Sequence, residues 1–216
     1  MTTINSLEAE TRPEPEEIPP FSRQELRGML RAPLRLVDLV LGERQRFAAN
    51  VAQGHRLPTL LLVLTVAVVV FALPFGAVLF PSGFWRVAEL LLGSLAICFP
   101  SLYVFGRYIG GGLSLLQTLC ISLLATATTS LFTLAFAPIV GFLRATMTGS
   151  RDIGWGDVAY VLLFGALAAG IGQLARLLFG DPVLRARSQS LLYVMIPWLV
   201  LYLFITVRLA SVLALG

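Results

Sequence analysis

The chain has 216 residues, of which 57% are hydrophobic and 13% are charged, and its mean hydropathy is +0.84. Soluble domains carry about 25% charged residues, so this composition excludes an ordinary soluble enzyme or binding domain and indicates an integral membrane protein. The net charge of +4 comes from 16 arginines and no lysine. These arginines are scattered beside apolar segments, which is typical of membrane flanks and argues against nucleic acid as a partner.

The first 20 residues are the most polar part of the chain. They contain five glutamates and four prolines with few large apolar side chains. Burial therefore cannot offset the entropy lost on ordering, and we predict a disordered acidic tail over 1–20. The tail lacks the apolar run of a signal peptide, so we expect it in the cytoplasm, where it offers a binding segment for a soluble partner.

Residues 21–57 are predicted to form cytoplasmic or interfacial amphipathic helices. Ser22 and Glu25 match a capping box, which starts a short helix that runs to about Ala32. Pro33 suits the first turn of a second helix, in which apolar residues recur at helical spacing until about Gly54. We expect four arginines to face the anionic membrane surface. They are Arg27, Arg31, Arg35 and Arg46.

Five apolar segments follow and make residues 58–216 a transmembrane domain. At 1.5 Å per residue each segment can cross a hydrocarbon layer about 30 Å thick, and runs of this length can span lipid only as helices. The predicted spans are 58–80, 87–106, 113–137, 157–179 and 190–213. The predicted fold class is therefore all-α: a polytopic bundle of five transmembrane helices behind amphipathic cytoplasmic helices and a disordered tail.

The distribution of arginine predicts the orientation of this bundle. If the N-terminus is cytoplasmic, most loop arginines fall on the inner side, as the positive-inside rule requires, and Arg86, Arg144 and Arg151 fall outside. Trp85 and Trp155 then lie at the outer boundary, where amphipathic aromatic rings are favoured. Five crossings place the C-terminus outside.

Proline and glycine mark the junctions between the spans. We expect a kink at the proline of ICFPSLYVFGRYIGGGLS and a tight cytoplasmic hairpin at its three glycines. A phosphate-binding loop is disfavoured because no GK[ST] sequence follows the glycines. FALPFG and FAPIVGF lie near the outer ends of the first and third spans, as hinges or as static kinks. The junction residues are Pro74, Pro100, Gly110, Gly111, Gly112 and Pro138.

Three stretches give the chain a resemblance to a known family: LRAPLRLVDLVLG before the spans, ICFPSLYVFGRYIGGGLSLLQTL at the second and third spans, and AFAPI at the end of the third. With this order of elements the chain resembles bacterial membrane proteins of the Yip (Ypt-interacting protein) family, from about Leu26 onward. The resemblance implies a five-helix bundle in the bacterial inner membrane with a cytoplasmic N-terminus. Eukaryotic Yip relatives serve membrane traffic.

The third span carries a line of hydroxyl side chains at helical spacing. They are Thr118, Ser122, Thr126, Thr129 and Thr133. Such a face either lines a polar path or joins helices through hydrogen bonds and close packing. The fourth span offers a narrow face of Gly165, Ala169, Gly172 and Arg176, which we expect to meet the hydroxyl face.

Two charged residues fall within predicted spans. Glu89 lies in the second span and Arg208 in the fifth, both toward the outer side. Glu89 is expected to pair with Arg86 at the interface or with Arg208 as a clamp or gate, or to mark a cation site.

The chain shows no pattern of catalytic, cofactor-binding or metal-binding residues, and His55 stands alone in the sequence. We therefore expect a non-enzymatic scaffold or adaptor that binds lipid, other membrane proteins or further copies of itself. The alternative is a transporter or channel subunit whose path uses the hydroxyl face, Glu89 and Arg208.

Overall fold

The structure is a computed structural model that describes residues 21–29, 32–80, 83–108, 112–146, 155–180, 197–198, 200–209 and 211. The described residues form helices joined by short turns, which confirms the all-α prediction for this part of the chain. The helices are α1 (Arg23–Met29), α2 (Pro33–Leu41), α3 (Arg44–Gln53), α4 (Leu57–Leu79), α5 (Arg86–Tyr108), α6 (Leu115–Thr146), α7 (Trp155–Gly180) and α8 (Val200–Leu209). The predicted tail over 1–20 lies outside the described residues.

Three helices, α4, α5 and α6, are long and apolar enough to cross a membrane. Within the described residues the apolar stretches of α7 and α8 are shorter, Tyr160–Gln173 and Val200–Leu209. The structure is therefore that of a helical membrane protein. The number of five crossings stays a prediction.

The helix of the third predicted span, 113–137, extends beyond residue 137. α6 continues through Pro138 to Thr146, and its 32 residues correspond to about 48 Å. Pro138 has no backbone N–H, but the loss of this one hydrogen-bond donor does not end the helix, because tertiary contacts hold α6 on both sides of the proline. Beyond it, Nη1 of Arg144 donates a hydrogen bond to the carbonyl of Val78 at the end of α4. Arg144, predicted in a loop, is thus a helix residue that ties two helices together.

α4 and α6 run parallel and form the axis of the bundle. At one end the thiol of Cys120, near the start of α6, lies 3.9 Å from the carbonyl of Leu57, the first residue of α4. At the other end Arg144 reaches Val78. The two helices therefore stay in register along the whole of α4, and α5 runs back between their ends.

α1, α2 and α3 form a collar over the starting ends of α4 and α6. Their apolar side chains are buried in the common core with those ends. These side chains are Phe21, Leu26, Leu36, Leu39, Val40, Phe47 and Val51. The packing explains why short helices, which are unstable alone in water, form here.

The prediction of one helix from Pro33 to about Gly54 is wrong in its middle and confirmed at its end. The chain breaks between α2 and α3, where the N–H groups of Gly42 and Glu43 both donate to the carbonyl of Asp38. Glycine weakens a helix interior, and the break lets both short helices face the core. At the far end Gly54 adopts a left-handed conformation with φ 72°, and the N–H of His55 donates to the carbonyl of Asn50. This Schellman motif stops α3.

α8 packs against α5 in the opposite direction. Trp198, just before α8, lies beside Cys98, whereas Leu209 at the end of α8 lies near Gly93. Because α5 begins at Arg86, the end of α8 points toward the start of α5.

Candidate functional site

The predicted hydroxyl face of α6 exists and is buried in the bundle. Thr118, Ser122, Thr126, Thr129 and Thr133 each donate a hydrogen bond to a carbonyl three or four residues earlier in the chain, at 2.7–3.1 Å. Thr128 and Ser130 do the same on the neighbouring face. Each hydroxyl proton is thus held within the helix, which leaves the small side chains to act in packing.

Two aromatic residues before and within α8 tie it to α5. The indole N–H of Trp198 donates to the carbonyl of Cys98 at 2.8 Å, and the Tyr202 hydroxyl donates to the carbonyl of Leu91 at 3.3 Å. The two rings stack with centroids 5.3 Å apart, and both are buried. Trp198 and Tyr202 were not among the predicted site residues, although two amphipathic aromatic residues one turn apart were the available signal in the sequence.

The Tyr202 hydroxyl also connects α8 to α6. It lies close to the hydroxyl groups of Ser94 in α5 and Thr126 in α6. Ser94 and Thr126 are buried, and their own protons go to carbonyls of their helices. One predicted hydroxyl, Thr126, therefore lies at a polar junction of three helices.

α6 and α7 do meet, but through a different face of α7 from the predicted one. Gly165 and Gly172 are exposed, and a Cβ at either position would enter open space. The contact is made at Gly170, where a Cβ would overlap Oγ1 of Thr129 and lie 2.7 Å from the carbonyl oxygen of Ala125. Ala166, one turn before, is also buried. The sequence contained this small-xxx-small pair, yet periodicity alone does not choose between adjacent faces.

Glu89 and Arg208 are both exposed on the periphery of the bundle. The ion pairs between described residues involve Arg46 alone, so neither the Glu89–Arg86 pair nor the Glu89–Arg208 pair is formed in this part of the chain. Arg86 instead places its guanidinium 5.4 Å from the centroid of the Phe80 ring. The carboxylate of Glu89 lies in the first turn of α5, where the helix dipole favours a negative charge.

A cluster around Phe21 anchors the point at which the N-terminal tail joins the collar. The Phe21 side chain is buried, and the guanidinium of Arg46 lies 4.6 Å from its ring centroid. Arg46 also pairs with Glu25 at 3.3 Å and with Glu43 at 3.4 Å. Arg56, which precedes α4, donates from Nη1 to the carbonyl of Phe21 at 3.1 Å. One residue thus connects the tail to α1, α3 and α4.

The predicted capping box at the start of α1 is confirmed. The N–H of Ser22 donates to Oε2 of Glu25 at 2.7 Å, and the N–H of Glu25 donates to the Ser22 hydroxyl at 3.1 Å. The Ser22 N–H bond, helped by Arg46, holds the pKa of Glu25 below its ordinary value of 4.5, because each favours the ionised carboxylate.

A second capping box, missed in the sequence, fastens the collar to α6. The N–H of Ser114 donates to Oε1 of Gln117 at 2.8 Å, and Nε2 of Gln117 donates to the carbonyl of Val51 in α3 at 2.7 Å. The buried side-chain amide of Gln117 therefore caps the start of α6 and also donates a hydrogen bond to a carbonyl near the end of α3. The spacing of serine and glutamine in SLLQ was the available signal.

The four arginines predicted at the membrane surface occupy different environments. Arg46 is held within the collar, and its side chain is only 25% exposed. Arg27 and Arg35 are exposed, as is Leu34 beside Arg35. Arg31 lies outside the described residues.

The junction prolines lie inside helices. α4, α5 and α6 continue through Pro74, Pro100 and Pro138, and all three rings are on exposed faces. A proline on an outer face removes one backbone donor without disturbing the packed side of the helix. Gly110 and Gly111 lie outside the described residues, and Gly112 is exposed in the turn before α6.

Within the described residues no three metal-ligating side chains come together, and Cys98 and Cys120 are buried free thiols. Comparison with family models, curated proteins and solved structures found no match for this chain. The geometry of the collar and of the helix contacts is therefore the basis for inferring a function.

Proposed function

We propose that this protein is an integral membrane scaffold or adaptor of the Yip-family type in the bacterial inner membrane. In this proposal α4 to α8 cross the bilayer five times, with the N-terminus in the cytoplasm and the C-terminus outside. The role is non-enzymatic: the bundle associates with other membrane proteins or with itself, and the acidic tail recruits a soluble cytoplasmic partner.

The directions of the helices support five crossings. α4 and α6 start at the collar, α5 runs back toward it, and α8 runs opposite to α5. Helices that alternate in direction pass from one membrane face to the other at each helix, and the shared direction of α6 and α8 requires α7 to return between them.

The burial of Phe21 is the observation that carries the adaptor role. The acidic tail joins the bundle at a residue held by Arg46 and by Arg56. A partner bound to residues 1–20 is thereby tethered near the start of α4, within the reach of the tail, which is what an adaptor needs.

Site-specific crosslinking from the tail tests this role. A photoreactive amino acid in place of Ile18 should give a discrete crosslinked adduct in native membranes. The same group in place of Phe84, just before α5 at the end of the bundle away from the collar, should not give that adduct. The change Phe21→Ala should lower its yield, because the tail loses its fixed position. Equal adducts from both positions would contradict recruitment by the tail.

The transporter alternative is weaker because the α6 hydroxyls are hydrogen-bonded within their own helix and Glu89 and Arg208 are peripheral. A flux assay in proteoliposomes distinguishes the two roles. We expect no flux of small ions or solutes for the wild type, Glu89→Gln or Arg208→Ala. Flux in the wild type that is lost in both variants would favour a transporter.

A further inference from the structure

We propose that Arg27 and Arg35 form a binding site for the headgroup of an anionic phospholipid at the cytoplasmic face of the bundle. The inference rests on the proposed function, since it gives the collar its partner within the membrane. Its test depends on lipid alone, so it can fail while the recruitment of a protein partner holds.

The two guanidinium groups belong to neighbouring helices that pack together. Gly28 follows Arg27 in α1, and a Cβ at Gly28 would lie 3.7 Å from Nη1 of Arg35 in α2. Both arginine side chains are exposed. Neither takes part in an ion pair between described residues, and Asp38, one turn after Arg35, is not paired with it. Two exposed positive charges therefore lie on neighbouring helices of the collar.

The contrast with Arg46 separates this pair from the other collar cations. Arg46 is bound to Glu25 and Glu43 and covered by Phe21, so its charge is already matched within the protein. Among the described residues Arg27 and Arg35 take part in no ion pair, and two guanidinium groups are well suited to the oxygens of a phosphate.

Leu34 indicates that the anion belongs to a lipid. This side chain is 79% exposed in the first turn of α2, whereas Leu36, Leu39 and Val40 of the same helix are buried. An exposed leucine on a helix that also carries an exposed arginine is typical of a segment that meets both the headgroups and the upper acyl region of a leaflet.

The position of the collar along the bundle agrees with this assignment. The end of α3 is bonded to Gln117 in the first turn of α6, and Leu57 at the start of α4 lies against Cys120. The collar therefore lies where the apolar helices begin, which is the level of the phosphates in a bilayer. Anionic lipids of that leaflet attract nearby arginines.

Lipid retention measured by native mass spectrometry tests the site. The full chain is released from detergent containing equal amounts of phosphatidylglycerol and phosphatidylcholine, and the ratio of the two retained lipids is determined. We expect the preference for phosphatidylglycerol to fall about fivefold in Arg27→Gln or Arg35→Gln and about 25-fold in the double variant.

Two controls keep the result specific. Arg208→Gln removes an exposed cation at the opposite end of the bundle and should leave the preference unchanged, and Asp38→Asn should not lower it. An equal loss in Arg208→Gln would overturn the site, because it would show a general effect of charge. An unchanged ratio in the double variant would also overturn it and would leave an acidic protein segment as the occupant of this face.

A second measurement does not depend on removing charge. A spin label at Leu34→Cys should report the depth of the headgroup region in phosphatidylglycerol nanodiscs, since the native cysteines are buried and react poorly. A label that is as accessible to aqueous relaxants as one on a soluble loop would contradict the proposal.

Discussion

At the scale of single residues, arginine has three separate roles in this chain. Arg46 is paired inside the collar, Arg144 donates to a carbonyl at the end of α4, and Arg35 is exposed. The sequence predicts all of them as membrane-flank cations, because spacing shows only that each lies near an apolar segment. The difference comes from the neighbouring groups, which are distant in sequence.

Replacing Arg46 should loosen the collar. Arg46→Gln removes both ion pairs and the contact with the Phe21 ring, and because these pairs are partly exposed we expect a loss of about 1–2 kcal/mol. Hydrogen exchange of α1 measured by mass spectrometry should accelerate accordingly. Arg35→Gln is the matched control and should change exchange little, so equal acceleration in both variants would contradict the anchor.

Lowering the pH should loosen α1, as the change Arg46→Gln is expected to do. The lowered pKa of Glu25 means that its stabilisation is present above the ordinary value of 4.5 and is lost as the pH falls from there through the folded-state pKa. A spin label at the exposed Gln24→Cys should gain mobility over that range. In Glu25→Gln, which keeps a capping amide but cannot ionise, the mobility should not change over that pH range, and a persistent transition there would show that another group titrates.

At the scale of elements, close contact between helices decides which small residues contribute to packing. α7 carries small residues on two adjacent faces, and only the one with Ala166 and Gly170 is packed against α6. The hydroxyl-rich face of α6 accepts this approach because its protons are directed back into the helix.

The change Gly170→Ala should destabilise the pairing of α6 and α7. Thr129 can rotate away from the new methyl group, but the carbonyl of Ala125 at 2.7 Å is fixed by the helix, so the helices must separate. We expect a loss of about 1–3 kcal/mol in unfolding by sodium dodecyl sulfate. Gly172→Ala, which enters open space, should be neutral or slightly stabilising because alanine favours a helix interior more than glycine, and a similar loss there would indicate that another contact is responsible.

At the scale of the whole molecule, the parallel pair of α4 and α6 determines where everything else lies. The collar covers its starting end through Gln117, and Arg144 closes its other end. α5 and α8 are joined at its side by Trp198 and Tyr202. The collar, α5 and α8 are thereby held relative to one axis.

Cysteine accessibility should reveal the sidedness of this axis. Phe84 and Tyr108 are exposed at opposite ends of α5, and the native Cys98 and Cys120 are buried. An impermeant thiol reagent added to intact cells should label Phe84→Cys and leave Tyr108→Cys unlabelled. A reporter fused after Gly216 should be active outside. A cytosolic reporter would require an even number of crossings and a different assignment of every loop.

The sequence by itself determined four features: a membrane rather than water as the environment of the chain, the helical fold class, the capping box of Ser22 and Glu25, and the approximate positions of the apolar helices. These features depend on composition, local hydrogen bonds and periodicity within one segment, which neighbouring segments do not alter. Only the tertiary structure decided which face of α7 is packed, how far α6 continues past Pro138, and which arginines are matched. Those outcomes depend on groups far apart in the chain, such as Val51 with Gln117 and Val78 with Arg144, whose meeting is set by packing.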